Sequence, residues 1–273
     1  ALGACPGCLG APVVLTEKPL SEEVLIDATK SLEKYLGKPL DFCIPVECGG
    51  INSILAYVVA ALLEIPVVDT DGMNRAFPEL QMTSFSTHGV SATPLASGDN
   101  GGIVTIIDAK GDDLLAEDIA RKTAMAYGGI SWITTYPMNG KQLKESGVLN
   151  SQTIAWEIGK AVLNSRKHHL RPIREIQRVV KEVRGVTCYE AFEGKIIDIK
   201  REFGSEINKG FSMGKIIMEG INSYKGKEAK LDFQNEWLIL RIDGEIKCLP
   251  PDLIAILDTD TGEPIRRHNE VRI

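Results

Sequence analysis

An apolar run, Ile65-Pro-Val-Val68, stops abruptly at Asp69-Thr-Asp71-Gly72. A short apolar run closed by turn residues reads as a buried strand. The edge where such strands end is where open α/β sheets gather ligand-binding groups. The following residues strengthen that reading, because Asp69, Asp71, Arg75 and Glu79 crowd into one short stretch. Charges at that density are costly unless they pair, bind something or do chemistry. A solvated, salt-bridged loop would also satisfy them, but Met73, Phe77, Leu80 and Met82 make the stretch too apolar for a purely solvated loop.

The residues upstream supply partners for this strand. Ser21-Glu22-Glu23 opens a helix with an N-cap and acids in its first turn. Val24, Leu25, Ala28, Leu32, Tyr35 and Leu36 give that helix an apolar stripe, and Gly37 ends it. Phe42 to Val46 reads as a strand and Glu47-Cys-Gly-Gly50 as a turn, with Asn52 or Ser53 capping a helix from Ile54 to Leu63. Strand–helix–strand alternation implies parallel pairing. Further strands are expected over 10–14, 102–108 and 130–136, with helices over 114–127, 152–165 and 173–183. Phe85 to Asn100, rich in Ser, Thr, Gly and Pro, reads as an ordered loop.

From Cys188 the character changes to short strands, 194–200, 214–220, 237–242 and 254–258, separated by Gly, Asn or Asp turns. The expected architecture is therefore α/β: an N-terminal α/β domain over 1–185 with a mainly parallel sheet, then a smaller β-rich C-terminal domain over 186–273.

The chain has 273 residues, a net charge of -6 and a pI near 5.4. These values speak against nucleic acid or an anionic membrane surface, which need a basic footprint. No apolar stretch approaches a membrane span of ~20 residues. The first ten residues lack a basic n-region and so do not form a complete signal peptide. A cytoplasmic enzyme is expected, acting on a small molecule and assembling as a homo-oligomer. Of six cysteines, Cys5 and Cys8 have redox or metal spacing, but no second pair completes a zinc site. Dispersed cysteines in such a chain usually act as small buried apolar residues.

Three loops, each placed directly after an expected strand, carry the candidate chemistry. In the first, Glu47 leaves a strand, Gly49-Gly50 lets backbone approach a ligand closely, and the helix start near Asn52 offers free N–H groups. Neither a G-x-G-x-x-G nor a Walker-type loop is present, so no nucleotide is expected. The second is the acidic loop. If strands 42–46 and 65–68 are neighbours, Glu47 and Asp69/Asp71 emerge at one sheet edge. Close carboxylates have pKa values pushed apart, which supplies an acid and a base; equally, they could hold a divalent cation. Arg75 could neutralise one of them, bind a substrate carboxylate, or simply pair with Glu79 four residues on.

The third loop holds His88, while His168, His169 and His268 lie in basic or terminal stretches. No G-x-S-x-G elbow occurs. The candidates are thus Glu47, Asp69, Asp71 and His88 for catalysis, and Gly49, Gly50, Asn52, Arg75 and Glu79 for substrate binding. Whether a metal takes part is left open.

Pro45-Val-Glu47-Cys-Gly-Gly-Ile-Asn52-Ser53, Asp69-Thr-Asp71-Gly-Met-Asn-Arg75-Ala-Phe-Pro78-Glu79-Leu-Gln-Met82, and Phe233-Gln-Asn-Glu236 followed by Pro251-Asp-Leu-Ile254 resemble the S-methyl-thiohydantoin desulfurase family. Members of that family are often found beside hydantoinase/oxoprolinase proteins. Gly10-Ala-Pro12, Glu17-Lys18 and Gly210-Phe211 also fit, and the likeness runs from residue 9 onward. There are departures: Asn74 stands where glycine is expected, and Ser212-Met213 replaces Thr-Arg. The family's opening segment leads into a glycine-rich loop, whereas here Ala1 to Cys5 runs straight into Pro6. Residues are therefore expected to be missing between Cys5 and Pro6, and the tail after Ile273 to be truncated.

The resemblance implies hydrolysis of an S-methylated thiohydantoin to a hydantoin and methanethiol. The residues accommodate this reaction: Glu47, Asp69 and Asp71 are expected as acid–base groups or cation ligands, Arg75 and Asn52 to orient the ring or its acidic side chain, and Glu79 in support. The alternative is a non-catalytic subunit or ligand-binding partner of a hydantoinase/oxoprolinase-type enzyme, with the β domain as its interaction surface.

Overall fold

The computed structural model describes residues 1–10, 14–15, 22–202 and 211–265. Its described residues form two compact units. One comprises those of 1–151 with Phe211 and Ser212; the other comprises 152–202 and 213–265.

In the first unit the elements run β1 (Leu2–Gly10), α1 (Glu22–Leu36), β2 (Phe42–Cys43), α2 (Asn52–Leu63) and β3 (Thr70–Asp71). A one-turn helix α3 (Ser84–Thr87), β4 (Leu95–Gly98), β5 (Val104–Ile107), α4 (Asp113–Ala126) and β6 (Ile130–Asn139) follow. Then come α5 (Gly140–Ser146) and β7 (Val148–Leu149). The main sheet has the order β2-β1-β6-β4-β5.

The parallel pairing expected from strand–helix–strand alternation is confined to one edge. There β1 pairs with β2, and Cys43 bridges Val67 in parallel. The other ladders of this sheet are antiparallel. The reason is partly local. Asp99 accepts from the Gly101 and Ile103 N–H groups at 2.9 and 2.8 Å, making the short turn that joins β4 to β5. A connection that short serves only an antiparallel pair.

The sheet is covered on both faces. Val24 and Leu25 of α1 and Leu55, Val59 and Ala60 of α2 pack with Trp132 on one side. Ala120 and Ala124 of α4 pack with Phe85, Leu95 and Ile133 on the other. Trp132 and Ile133 enter different clusters because successive strand residues face opposite ways.

The run 65–68 makes only a single bridge, and the ladder forms just beyond it, where β3 pairs with β7. Asp71 is therefore itself a strand residue. The expected strand over 10–14 falls at 2–10 instead, and residues 11–13 lie outside the described residues.

In the second unit α6 (Ser151–Lys167, counted here from Gln152) and α7 (Pro172–Arg184) cluster with the β-rich part. The boundary near 185 read from composition thus marks where strands begin. Pro172 starts α7, and Gly185, at φ 69°, ends it. Strands β8 (Gly194–Glu202), β9 (Met213–Gly220), β10 (Glu228–Gln234), β11 (Glu236–Ile242) and β12 (Glu245–Cys248) form an antiparallel meander in sequence order. Ala229, Leu231 and Phe233 alternate into its core. The strand expected over 254–258 is reduced to one bridge, Leu257 to Pro264. Asp258 there accepts from the Asp260 and Thr261 N–H groups, which bends the chain into a turn.

The fold class matches the expected α/β domain with a β-rich domain after it.

Candidate active site

Beyond β2, Ile44 and Val46 stay buried and lead to Glu47, whose residue is only 8% exposed. Two donors hold its carboxylate: Asn52 Nδ2 at 2.7 Å and the Phe77 N–H at 2.8 Å. The Ser53 hydroxyl donates to the Glu47 carbonyl at 2.9 Å and receives the Gly49 N–H at 3.2 Å. Neither Asn52 nor Ser53 caps α2 as the sequence suggested; the N-cap is Ile51, with no side-chain cap. Their side chains are spent on the loop, and Asn52 Oδ1 also accepts the Cys8 N–H at 2.8 Å.

Burial pushes the Glu47 carboxyl up to about 7. The hydrogen bonds from Phe77 and Asn52 oppose that rise, the Asp71 charge adds to it, and Arg75 opposes it. A carboxyl in this range exchanges protons at neutral pH, which is what acid–base work requires.

Asp71 is fully buried and has a different environment. The Asn74 N–H donates to both its oxygens at 2.8 Å, and the Cys48 N–H donates at 2.5 Å. The Met73 N–H and the Ser151 side chain add two more bonds. Burial pushes Asp71 up to about 6 even against these donors. It ties the Glu47–Cys48 loop to the 71–77 loop, and its oxygens are already engaged. A carboxylate ringed by N–H donors is the opposite of a cation's surroundings. Among the described residues no group of three metal-ligating side chains forms, and Asp71 itself, engaged by N–H donors, does not fit a divalent cation.

Two backbone details make this loop possible. A Cβ on Gly72 would come within 2.8 Å of the Val46 carbonyl and 3.0 Å of the Phe85 ring, so only glycine passes there. Asn74 sits at φ 57°, a left-handed conformation that asparagine tolerates and glycine adopts freely. That explains how Asn74 replaces the glycine the family resemblance led us to expect.

Gly49 lies against the carboxylate: a Cβ there would be 3.4 Å from Glu47 Oε1. A Cβ on Gly50 would face open space. Gly49 thus packs directly on the carboxylate and on Ala76, while the space beside Gly50 is open.

Arg75 is buried, its charge reaches Glu47, and its Nε donates to the Ala76 carbonyl at 3.0 Å. Asp69 is half-buried, beside Tyr57 of α2. Glu79 Oε2 accepts from Gln81 Nε2 at 2.6 Å. His88 is exposed at the C-cap of α3, its Nδ1 2.7 Å from the Ser84 carbonyl. The structure thus brings Glu47, Gly49, Asn52, Asp71 and Arg75 together through direct contacts or charge, and shows no such tie from His88 to Glu47. A cavity of about 500 Å³ lies at the start of α4, lined by Gln81, Ser86, Ser91, Asp112 and Asp113. Glu47 is not among its lining residues.

Glu117 and Arg121 of α4 were not anticipated. Both are 5% exposed. Glu117 accepts the Leu80 N–H at 3.0 Å and Arg121 Nε at 2.8 Å. Arg121 Nη2 donates to the Pro78 carbonyl at 3.0 Å, and its guanidinium covers the Phe211 ring at 4.1 Å. The signal was present in Ala116, Ala120 and Ala124, small residues that bury this part of α4.

A crystal structure of a protein from Chromobacterium violaceum has the same fold, with a TM-score of 0.73 and 18% identity. The match covers 93% of this chain and 66% of that one, so this chain spans just under two thirds of its length. No curated protein matches. No described helix is long and apolar enough to cross a membrane. The S-Me-THD-like N-terminal domain model matches residues 1–109 and the S-Me-THD-like C-terminal domain model residues 111–272. With matches that extend through both parts of the sequence, the chain belongs to the S-Me-THD-like family.

Proposed function

We propose that this chain is a hydrolase of S-methylated thiohydantoins, releasing a hydantoin and methanethiol, with Glu47 as the proton carrier. The observation that supports this most directly is the buried Glu47 carboxyl, pushed up to about 7 and aimed by Asn52 and the Phe77 N–H.

The reaction needs water to add to the amidine-like ring carbon that bears sulfur. Ionised Glu47 takes one proton from that water as its oxygen bonds to carbon and the C=N π pair moves to the ring nitrogen. The tetrahedral adduct then collapses, the C–S bond breaks, and protonated Glu47 returns its proton to the departing methanethiolate. The second water proton is lost as the adduct collapses to the carbonyl and is accepted by the ring nitrogen. Atoms balance as heterocycle plus water giving hydantoin plus methanethiol, and one carboxyl serves as base and then acid. Asn52 and the Phe77 N–H fix the direction of the carboxylate. Arg75 supplies positive charge beside it, and Asp71 holds the loop. Asp69 and Glu79 take supporting places in the same loop, and His88 has no step assigned to it.

The product is the substrate class of a hydantoinase-type enzyme, which keeps such an enzyme as the expected partner. Incubation with an S-methyl-thiohydantoin in ¹⁸O-water tests the reading. The expected outcome is methanethiol and hydantoin in equal amounts, with the label in the new ring carbonyl. A folded, full-length sample that releases no methanethiol overturns it.

A further inference from the structure

The buried pair on α4 has a donor left over. Arg121 commits Nε to Glu117 and Nη2 to both Glu117 and the Pro78 carbonyl, while Phe211 covers one face of the guanidinium. Its remaining nitrogen, Nη1, is buried and has no hydrogen-bond partner among the described residues. An unmet guanidinium N–H in a buried site is costly, and most such groups are satisfied.

The position of this donor matters. Glu47 is held by the Phe77 N–H and Arg121 by the Pro78 carbonyl, consecutive residues of one segment whose Cα atoms stand ~3.8 Å apart. Cys8, whose main chain is bonded to Asn52, feels Glu47 and Arg121 together with opposite signs. Both charged groups are therefore anchored on the same short 77–78 segment. Glu117 neutralises Arg121, so the free N–H is suited to a neutral oxygen acceptor rather than to a second carboxylate.

We infer that Arg121 is a substrate-binding residue whose Nη1 donates to the ring carbonyl of the heterocycle on the side away from the carbon Glu47 serves. This rests on the desulfurase reading of the site. A hydantoin carries that carbonyl, at ring position 4, whereas imidazolidin-2-one lacks it, and the two therefore report on this one contact.

Arg121→Lys tests the inference, because lysine keeps a positive charge beside Glu117 but replaces the three-nitrogen fork with a single nitrogen. Calorimetric titration of wild type and variant with hydantoin and with imidazolidin-2-one gives four dissociation constants. Hydantoin binding is expected to weaken about 10- to 100-fold in the variant, the range for a hydrogen bond made by a charged donor. Imidazolidin-2-one should bind both proteins alike. A merely structural role would weaken both ligands equally or neither, and either result overturns the inference while leaving the desulfurase reading in place. Arg121→Ala with added guanidinium guards against a misfolded lysine variant: recovery of hydantoin binding supports the contact, and failure to recover in a folded protein counts against it. A wild type that neither binds hydantoin nor releases methanethiol overturns the desulfurase reading, and this inference with it.

Discussion

Replacing Glu47 with glutamine is expected to lower the rate of methanethiol release about 10²- to 10⁴-fold, the contribution of a positioned acid–base group. Glutamine keeps the shape but can neither take the proton from water nor return it to sulfur. One of its two ends must also face a donor, since Asn52 Nδ2 and the Phe77 N–H both point at the present oxygens. The loss should fall on kcat, because the carboxylate acts on the reacting water.

The same variant has a second readout. In the folded protein Glu47 holds its proton up to about 7, against an ordinary value of 4.5. Between those values the native state binds more protons than the unfolded chain, so this group makes stability fall as pH rises through that window. The effect is about 3 kcal/mol across the window at 1.36 kcal/mol per unit. Thermal unfolding followed from pH 4 to pH 8 should show a shallower decline in Glu47→Gln than in wild type. An identical decline would mean that Glu47 titrates as an ordinary carboxyl.

The second large effect is expected at Asp71, and it is one of stability. Asp71→Asn places an amide where two oxygens now receive the Cys48, Met73 and Asn74 N–H groups. With its NH₂ at the Oδ2 place the amide orphans the Cys48 N–H, and in either orientation it faces the Asn74 N–H, which now donates to both oxygens. Each orphaned group costs about 1–3 kcal/mol, so a loss of about 2–5 kcal/mol is expected, read as a clear drop in Tm. Activity should fall with it, since Cys48 is the residue that anchors Glu47's loop to Asp71. The contrast with Glu47→Gln separates the roles: one variant is folded and slow, the other loosened. An Asp71→Asn protein with unchanged Tm and lost turnover would instead make Asp71 a group of the reaction itself.

How far the sequence could be read depended on how local the cause was. The apolar run ending in acids was legible, as were α1, α2 and α4, because periodicity and terminators sit within a few residues of each other. The division of labour between Glu47 and Asp71 was not. It depends on which backbone N–H groups converge on Asp71 from residues 48, 73 and 74, a matter of loop closure. Asn52 and Ser53 looked like caps because capping residues begin helices; in the structure the loop claims their side chains. The antiparallel part of the sheet was hidden because β6 inserts between β1 and β4, and no local pattern encodes strand order. Strand β10 alternates Ala229, Leu231 and Phe233 among charged residues, a pattern weaker than the Ile-rich strands around it. Arg121 was not singled out in the sequence, and only its burial reveals it.

The most direct test of the account is the pH dependence of kcat/KM for methanethiol release by the wild-type protein, since this quantity reports the free enzyme's essential groups. The account predicts a rate that climbs with pH and levels off above an apparent pKa near 7, the value at which burial holds Glu47. A profile flat from pH 5 to pH 9, in a protein that turns the substrate over, would contradict Glu47 as the base.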